Sequence, residues 1–293
     1  MQLLDGKYLS AIMKQELSAE VEERRAAGLK VPHLAAILVG NDGPSETYVQ
    51  NKVKTCQELG FKSTLVRFDQ SITQDQLLGE IEKINSNRDI DGLIVQVPLP
   101  PHISVERVME TIHPAKDVDG FHPINVGKTV KNLPTFLPAT PYGVLMMLKR
   151  YNIPTEGKQC VIIGRSQIVG TPMSILMARN AYPGNATVTL CHSKTEHLAD
   201  ICRQADILIA AIGRPLFVKA DMVKPGAVVV DVGINRVSDP TKKSGFRLVG
   251  DVDFDQVAPL TSYITPVPGG VGLMTIAGLM RNTLKAARHD YYP

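Results

Sequence analysis

Residues 158–180 read KQCVIIGRSQIVGTPMSILMARN, and the order of these residues decides the fold. A hydrophobic run, Cys160–Ile163, meets Gly164, turns through Arg165–Gly170 and enters an apolar, helix-forming stretch, Pro172–Asn180. A strand that feeds a helix through a glycine turn presents backbone N–H groups and a helix N-terminus to an anion. The spacing departs from Gly-x-Gly-x-x-Gly, which would need glycines where Ser166 and Val169 stand. A Walker loop starting at Gly164 would need a second glycine followed at once by lysine, where this chain has Val169 and Gly170, so a P-loop NTPase is excluded. Two readings of the turn stay open on pattern alone: a dinucleotide phosphate site, and a tight strand-to-helix turn with no ligand.

The next strand, Thr187–Cys191, sharpens the choice. A fold that binds NAD offers an acid about 20 residues beyond the first glycine, to accept from the ribose 2′-hydroxyl. Here the strand runs into CHSKT, with Ser193 and Lys194 and no acid before Glu196. Hydroxyl donors and a cation suit a 2′-phosphate, and the Arg165 guanidinium suits the same group. NADP is therefore preferred over NAD. Without the glycine turn beside them, Ser193 and Lys194 read equally well as solvated loop residues.

Outward from this unit the same alternation continues in both directions. Toward the N-terminus, helical spacing over residues 9–28 precedes a strand at Leu34–Val39, and a helix over Ser45–Leu59 precedes a strand at Ser63–Phe68. A helix over Gln74–Ser86 then leads to a strand at Gly92–Gln96. Beyond the glycine turn, strands are expected at Ile207–Ala211 and Val228–Val232, and a closing helix from Met274 to about Arg288. Strands separated by helix-length patterns imply βαβ units and parallel sheets. Between Pro98 and Pro141 the chain is rich in Pro, Gly, His and Asn, with one helical piece near Val105–Ile112, which marks a functional stretch or a linker.

Length and composition agree with this reading. The chain has 293 residues, enough for about two domains, and 44% of them are hydrophobic, which excludes a disordered chain. Aromatic residues at 5% and a formal charge of +3 argue against a nucleic-acid partner. Apolar runs such as LAAILVG fall short of the ~18 residues that span a bilayer. The N-terminal stretch is interrupted by Asp5 and Lys7 and does not read as a secretory signal, so a cytoplasmic location is expected. Cys56, Cys160, Cys191 and Cys202 lack metal-type pairing and read as buried thiols.

The first half holds the candidate chemistry. Tyr48 and Lys52 stand four apart on an expected helix and share one face. That spacing also suits short-chain dehydrogenases, but there the pair follows the glycine turn, whereas here it precedes Gly164. Gln96 ends an expected parallel strand, where open α/β sheets place their ligands. Asp117 and Asp119, in KDVDGF, read as further polar groups aimed into a cleft. DVDG resembles the start of a calcium loop, yet the remaining acids are missing and no metal is expected. His113, His122, His192 and His197 share no ligand spacing.

Seven segments in order, ETYVQNKVKTCQELG, DGLIVQVPLP, PAKDVDGFHPINVGK, ATPYGV, VIIGRSQIVGTP, VVVDVGIN and TPVPGGVGLMT, cover essentially the whole chain. Together they resemble the bifunctional methylenetetrahydrofolate dehydrogenase/methenyltetrahydrofolate cyclohydrolase family. The resemblance implies oxidation of 5,10-methylenetetrahydrofolate by NADP and hydrolysis of the methenyl product to 10-formyltetrahydrofolate, a step of one-carbon metabolism. It implies that Tyr48 packs on the aminobenzoyl ring, that Lys52 is central to hydrolysis, that Gln96 tunes Lys52, and that Asp119 orients the pterin. By the same resemblance Gly164, Arg165, Ser166, Ser193 and Ile234 hold the cofactor, while Pro266, Gly269 and Gly270 close over the ligands. Ala139, Leu273 and Val97 depart from residues common in relatives, and none of them removes a proposed catalytic group.

The expected architecture is two α/β domains with a cleft between them. A catalytic folate-binding domain spans 1–141 plus 274–293, and a Rossmann-like NADP-binding domain spans 142–273. A homodimer follows from the resemblance. A dehydrogenase lacking the hydrolase step and a non-catalytic NADP-binding sensor are the alternatives.

Overall fold

The computed structural model describes residues 1–242 and 245–292. Lys243, Ser244 and Pro293, which fall within the expected domain ranges, lie outside the described residues. The chain forms two compact units, one of Met1–Ala11 with Thr140–Thr275, the other of Ile12–Ala139 with Ile276–Pro293. The N-terminus departs from the expected boundary because β1 (Gln2–Leu3) hydrogen-bonds in parallel to the segment Tyr263–Ile264. Two residues are too few to show a strand period, so nothing in the pattern reveals the pairing.

In chain order, α1 (Gly6–Ala26) leads to β2 (His33–Val39), α2 (Gly43–Glu58), β3 (Lys62–Phe68), α3 (Gln74–Ser86) and β4 (Gly92–Val95). The three strands β3-β2-β4 form a parallel sheet. β2 is buried along its whole length, as the unbroken apolar run LAAILV after His33 demands of a central parallel strand. Its pleat divides the core. Leu34, Ala36 and Leu38 pack with Leu17 of α1 and with Val49 and Cys56 of α2. Ala35, Ile37 and Val39 pack on the opposite face with Leu77 and Ile81 of α3. A capping box of Thr73 and Gln76 starts α3, and Asp42 caps α2. Two short helices, α4 (Val105–Thr111) and α5 (Pro123–Val130), follow in the Pro-rich stretch, the second unforeseen.

The other unit continues with α6 (Ala139–Arg150), β5 (Gln159–Ile163), α7 (Gly170–Ala178), β6 (Thr187–Cys191), α8 (Leu198–Cys202), β7 (Ile207–Ala210) and β8 (Val228–Asp231). An antiparallel hairpin of β9 (Asn235–Ser238) and β10 (Phe246–Val249) comes next, then α9 (Phe254–Val257), β11 (Tyr263–Ile264) and α10 (Val271–Ala287). The parallel sheet runs β1-β11-β8-β7-β5-β6. The chain moves from β5 outward to β6, then returns to place β7 on the other side of β5. This reversal is the switch point at which doubly wound sheets bind ligands. All four cysteines are buried, and burial pushes the Cys56, Cys160 and Cys202 thiols up to about 12. No helix among the described residues is long and apolar enough to cross a membrane.

Asn282 of α10 is buried and donates from Nδ2 to the carbonyls of Val118 and Leu137, 2.9 Å each. Asn282→Ala strands two buried acceptors, and the expected loss is about 2–4 kcal/mol. A urea unfolding series reads this as a lower midpoint, and an unchanged midpoint would contradict it.

Candidate functional site

In the sheet β3-β2-β4 the chain reverses direction at β2, so the C-terminal ends of β2 and β4 bound the crevice. Gln96 stands one residue past β4, its N–H bonded to the Ile37 carbonyl at 2.9 Å. Lys52 comes from α2, the helix that follows β2. It lies on the helix face that also buries Val49, Thr55 and Cys56, and only 5% of its surface is exposed. Its Nζ donates to Gln96 Oε1 at 3.2 Å. Gln96 Nε2 donates in turn to the Val97 carbonyl at 2.7 Å, which fixes the amide with its oxygen toward the lysine. The Tyr48 ring, one helical turn earlier, has its centroid 5.2 Å from Lys52 Nζ.

Burial holds the Lys52 ammonium below its ordinary pKa, and the Asp119 carboxylate opposes that shift. Burial raises Asp119 as well, with Lys52 pulling it down. Asp119 is held by a turn built around its neighbour. Asp117 is buried and accepts from the backbone N–H of Phe121 (3.1 Å) and His122 (2.8 Å) and from Asn125 Nδ2 (2.7 Å). Asp117 thus braces the loop instead of pointing into a cleft, which corrects its reading as a second site carboxylate. Gly120 follows with φ +74°, and a Cβ there would stand 2.6 Å from the Pro138 nitrogen. Only glycine lets the chain turn this tightly after Asp119.

The second cluster lies in the other unit, at the C-terminal ends of its strands. A Cβ on Gly164 would fall 2.2 Å from the Ala211 carbonyl oxygen, and one on Gly170 would fall 1.8 Å from the Gly164 carbonyl oxygen. The turn therefore packs backbone on backbone at the β5/β7 reversal and leaves no room for a side chain at either glycine. Ser166 Oγ accepts from the Val169 N–H at 3.2 Å and closes the turn that leads into α7, while Arg165 is exposed beside it. Ser193 is exposed on the loop after β6, the strand paired with β5, and the Gly164 N–H bonds the Cys191 carbonyl at 2.9 Å. Arg165, Ser166 and Ser193 thus leave adjacent strand ends.

Ile234 is 51% exposed beyond β8, and a Cβ on Gly272 would stand 2.8 Å from its Cδ1. Pro266–Gly270 follows β11 and rests on the first turn of α1. The Lys7 N–H bonds the Gly269 carbonyl at 3.0 Å, and a Cβ on Gly6 would meet the Gly270 oxygen at 2.1 Å. The loop is anchored there by backbone, with Gly269 at φ +108°.

Two residues escaped the sequence reading. Asp231, at the end of β8, and Asp251, after β10, are buried and accept several backbone N–H groups. Burial pushes Asp231 up to about 7, and the like charge of Asp251 adds to the rise. The signal was present as an acid closing an apolar run in VVVDVG, and as GDVD seventeen residues on.

A buried lysine at one sheet reversal and a glycine cradle at another define an α/β enzyme of the dinucleotide-binding class. The chain belongs to the tetrahydrofolate dehydrogenase/cyclohydrolase family. Residues 4–119 match the catalytic-domain model of that family, and residues 138–291 match its NAD(P)-binding-domain model. The chain is 63% identical to the bifunctional protein FolD of Cytophaga hutchinsonii, over 98% of this chain and 99% of that one. It is 60% identical to the bifunctional protein FolD of Phocaeicola vulgatus over the full length of both. A crystal structure of the bifunctional FolD dehydrogenase/cyclohydrolase of Campylobacter jejuni is similar at TM-score 0.92 and 49% identity, covering 99% of each chain. The Trypanosoma brucei enzyme, solved with NADP cofactor and inhibitor, is similar at TM-score 0.92 and 38% identity, covering 98% of this chain and 97% of that one.

Asp119 is the group that holds the Lys52 pKa up against burial. Asp119→Asn is therefore expected to lower the Lys52 pKa further, so that the amine is neutral at a lower pH than in the parent. An NMR titration of the ¹³Cε-labelled lysines reads this directly, and a rise would reverse the assignment.

Proposed function

We propose that this chain is a bifunctional methylenetetrahydrofolate dehydrogenase and methenyltetrahydrofolate cyclohydrolase of one-carbon metabolism that uses NADP. It oxidises 5,10-methylenetetrahydrofolate to the methenyl cation and hydrolyses that cation to 10-formyltetrahydrofolate. The observation that carries the site assignment is the buried Lys52, hydrogen-bonded to Gln96, influenced by Asp119 and set beside the Tyr48 ring. NADP supplies the acceptor for the hydride that leaves the methylene carbon. The cradle of Gly164 and Gly170 would take its phosphates, Arg165, Ser166 and Ser193 its 2′-phosphate end, and Ile234 would lie along the nicotinamide.

In the hydrolytic step, water adds to the methenyl carbon and must lose a proton. Lys52, already lowered by burial, is lowered further by a cationic carbon beside it and becomes a neutral amine able to take that proton. The proton then passes to the departing ring nitrogen as its bond to carbon breaks, and the added hydroxyl gives up its own proton to solvent, leaving the formyl group on the other nitrogen. Gln96 holds the amine on its line of approach through a fixed amide. Asp119 pairs with the amide-like edge of the pterin and Tyr48 packs on the aminobenzoyl ring, so that the reacting carbon is oriented before reaction. Pro266, Gly269 and Gly270 would line the ligand with backbone. A homodimer belongs to the same reading and rests on the family resemblance, and a cytoplasmic location is proposed with it.

Purified protein mixed with methylenetetrahydrofolate and NADP⁺ is expected to yield NADPH, methenyl and formyl products, each followed separately. Absence of NADPH would sink the enzyme reading. Methenyl decay no faster than without protein would leave a monofunctional dehydrogenase. Lys52→Met is expected to cut hydrolysis by at least 100-fold, the scale of a lost general base, with NADP affinity unchanged, and lost affinity would contradict the role of Lys52. In the parent, hydrolysis should rise with pH as the Lys52 amine loses its proton, below the ordinary lysine range. Arg165→Ala should weaken NADP more than NAD, and equal losses would remove Arg165 from the 2′-phosphate.

A further inference from the structure

The buried pair Asp231 and Asp251 takes no part in the roles above. Asp231 Oδ1 accepts from the N–H groups of Gly233 and Asp251 at 2.9 Å each, and its Oδ2 accepts from Val252 at 2.8 Å. Asp251 Oδ2 accepts from the N–H groups of Ile212 (2.7 Å) and Gly213 (3.0 Å), and its Oδ1 from Asn235 Nδ2 at 2.9 Å. Glycines make the approach feasible. A Cβ on Gly250 would stand 1.8 Å from Asp231 Oδ2, and one on Gly233 would stand 2.3 Å from Asp251 Oδ1.

The two carboxyls are 3% and 0% exposed, and among the described residues no lysine or arginine forms an ion pair with either. Buried charges are ordinarily paired, because an unpaired one is expensive to desolvate. The pair is satisfied by neutral donors alone, so the charge it holds is left to act on whatever stands above the sheet. Their place decides what that is. They underlie the loops after β7 and β8, at the C-terminal edge of the sheet. In doubly wound sheets the two halves of a dinucleotide lie on either side of the strand-order reversal. The glycine turn after β5 serves the adenosine side, and the β7–β8 side faces the nicotinamide. The oxidised nicotinamide ring is a cation and the reduced ring is neutral.

We propose that Asp231 and Asp251 are specificity-determining residues that make the protein bind the oxidised dinucleotide in preference to the reduced one. The inference rests on the NADP reading above. It concerns binding, so equilibrium titration tests it without turnover. Asp251→Asn is the mildest removal of charge. Its side-chain oxygen keeps the Ile212 and Gly213 donors, and a flipped Asn235 amide can accept from its new N–H group. The ratio of Kd for NADPH to Kd for NADP⁺ is expected to fall at least threefold in Asp251→Asn, mainly through weaker NADP⁺ binding. The double variant Asp251→Asn with Asn235→Asp returns the charge to the same hydrogen bond and should restore the ratio. Equal weakening of both dinucleotides would show mere bracing and overturn the inference, as would an unchanged ratio or a double variant that behaves like the single one. Should Asp251→Asn fail to fold, a double variant that folds with the parental ratio supports the charge role, and one with a lowered ratio overturns it. A parent that binds neither dinucleotide would overturn the NADP reading and this inference together.

Discussion

An ammonium group withdrawn from water must be held by something, and much of the lysine-bearing unit is arranged around that requirement at Lys52. The residue sits on the buried face of α2 among Val49, Thr55 and Cys56, so the helix cannot turn it outward without exposing its own core. Asp42 caps the start of that helix and sets its entry from β2. Gln96 arrives from the neighbouring strand with its amide fixed by Val97, which presents an oxygen and no competing N–H. Asp119 adds a carboxylate whose turn is held by Asp117. The lysine is thereby kept between two tendencies, burial that favours the neutral amine and a carboxylate that favours the ammonium. A group balanced in this way can both take and return a proton, which a fully paired lysine cannot.

The other unit meets the opposite problem by a different device. Its buried groups are carboxyls, and they are held by backbone N–H groups instead of a side-chain cation. Backbone donors stabilise a carboxylate without cancelling its charge. They also tie together segments far apart in sequence, since the loop after β7, the start of β9 and the strand end of β10 all converge on two side chains. The sheet edge that would receive the dinucleotide is therefore rigid where Asp251 holds it, and open at Arg165 and Ser193, which are exposed.

Long apolar strands and capped helices were legible because their signals are local. β7 is hydrophobic throughout, β2, β5 and β8 are so but for one terminal residue each, and α3 carries its capping box in the residues themselves. The pairing of β1 with β11 was not, for each is two residues long and only the fold brings them together. Asp117 and Asp119 show the same limit at one position in the site. They stand two apart in one motif, yet one is consumed by Phe121, His122 and Asn125 while the other interacts with Lys52. Composition treats them alike. What separates them is the turn at Gly120 and the packing of residues 137–138 against it, which is tertiary.

The glycine turn carries the same lesson further. Judged by spacing, GRSQIVG is a poor dinucleotide motif, because two of its expected glycines are serine and valine. Judged by contact, the places where backbone must touch backbone are occupied by glycine: Gly164 against the Ala211 carbonyl and Gly170 against the Gly164 carbonyl. The intervening residues are free of that constraint, and Ser166 uses its freedom to bond the Val169 N–H within the turn. The motif is the requirement for two close approaches at a strand reversal, and the number of residues between them is set by how the loop satisfies its own N–H groups.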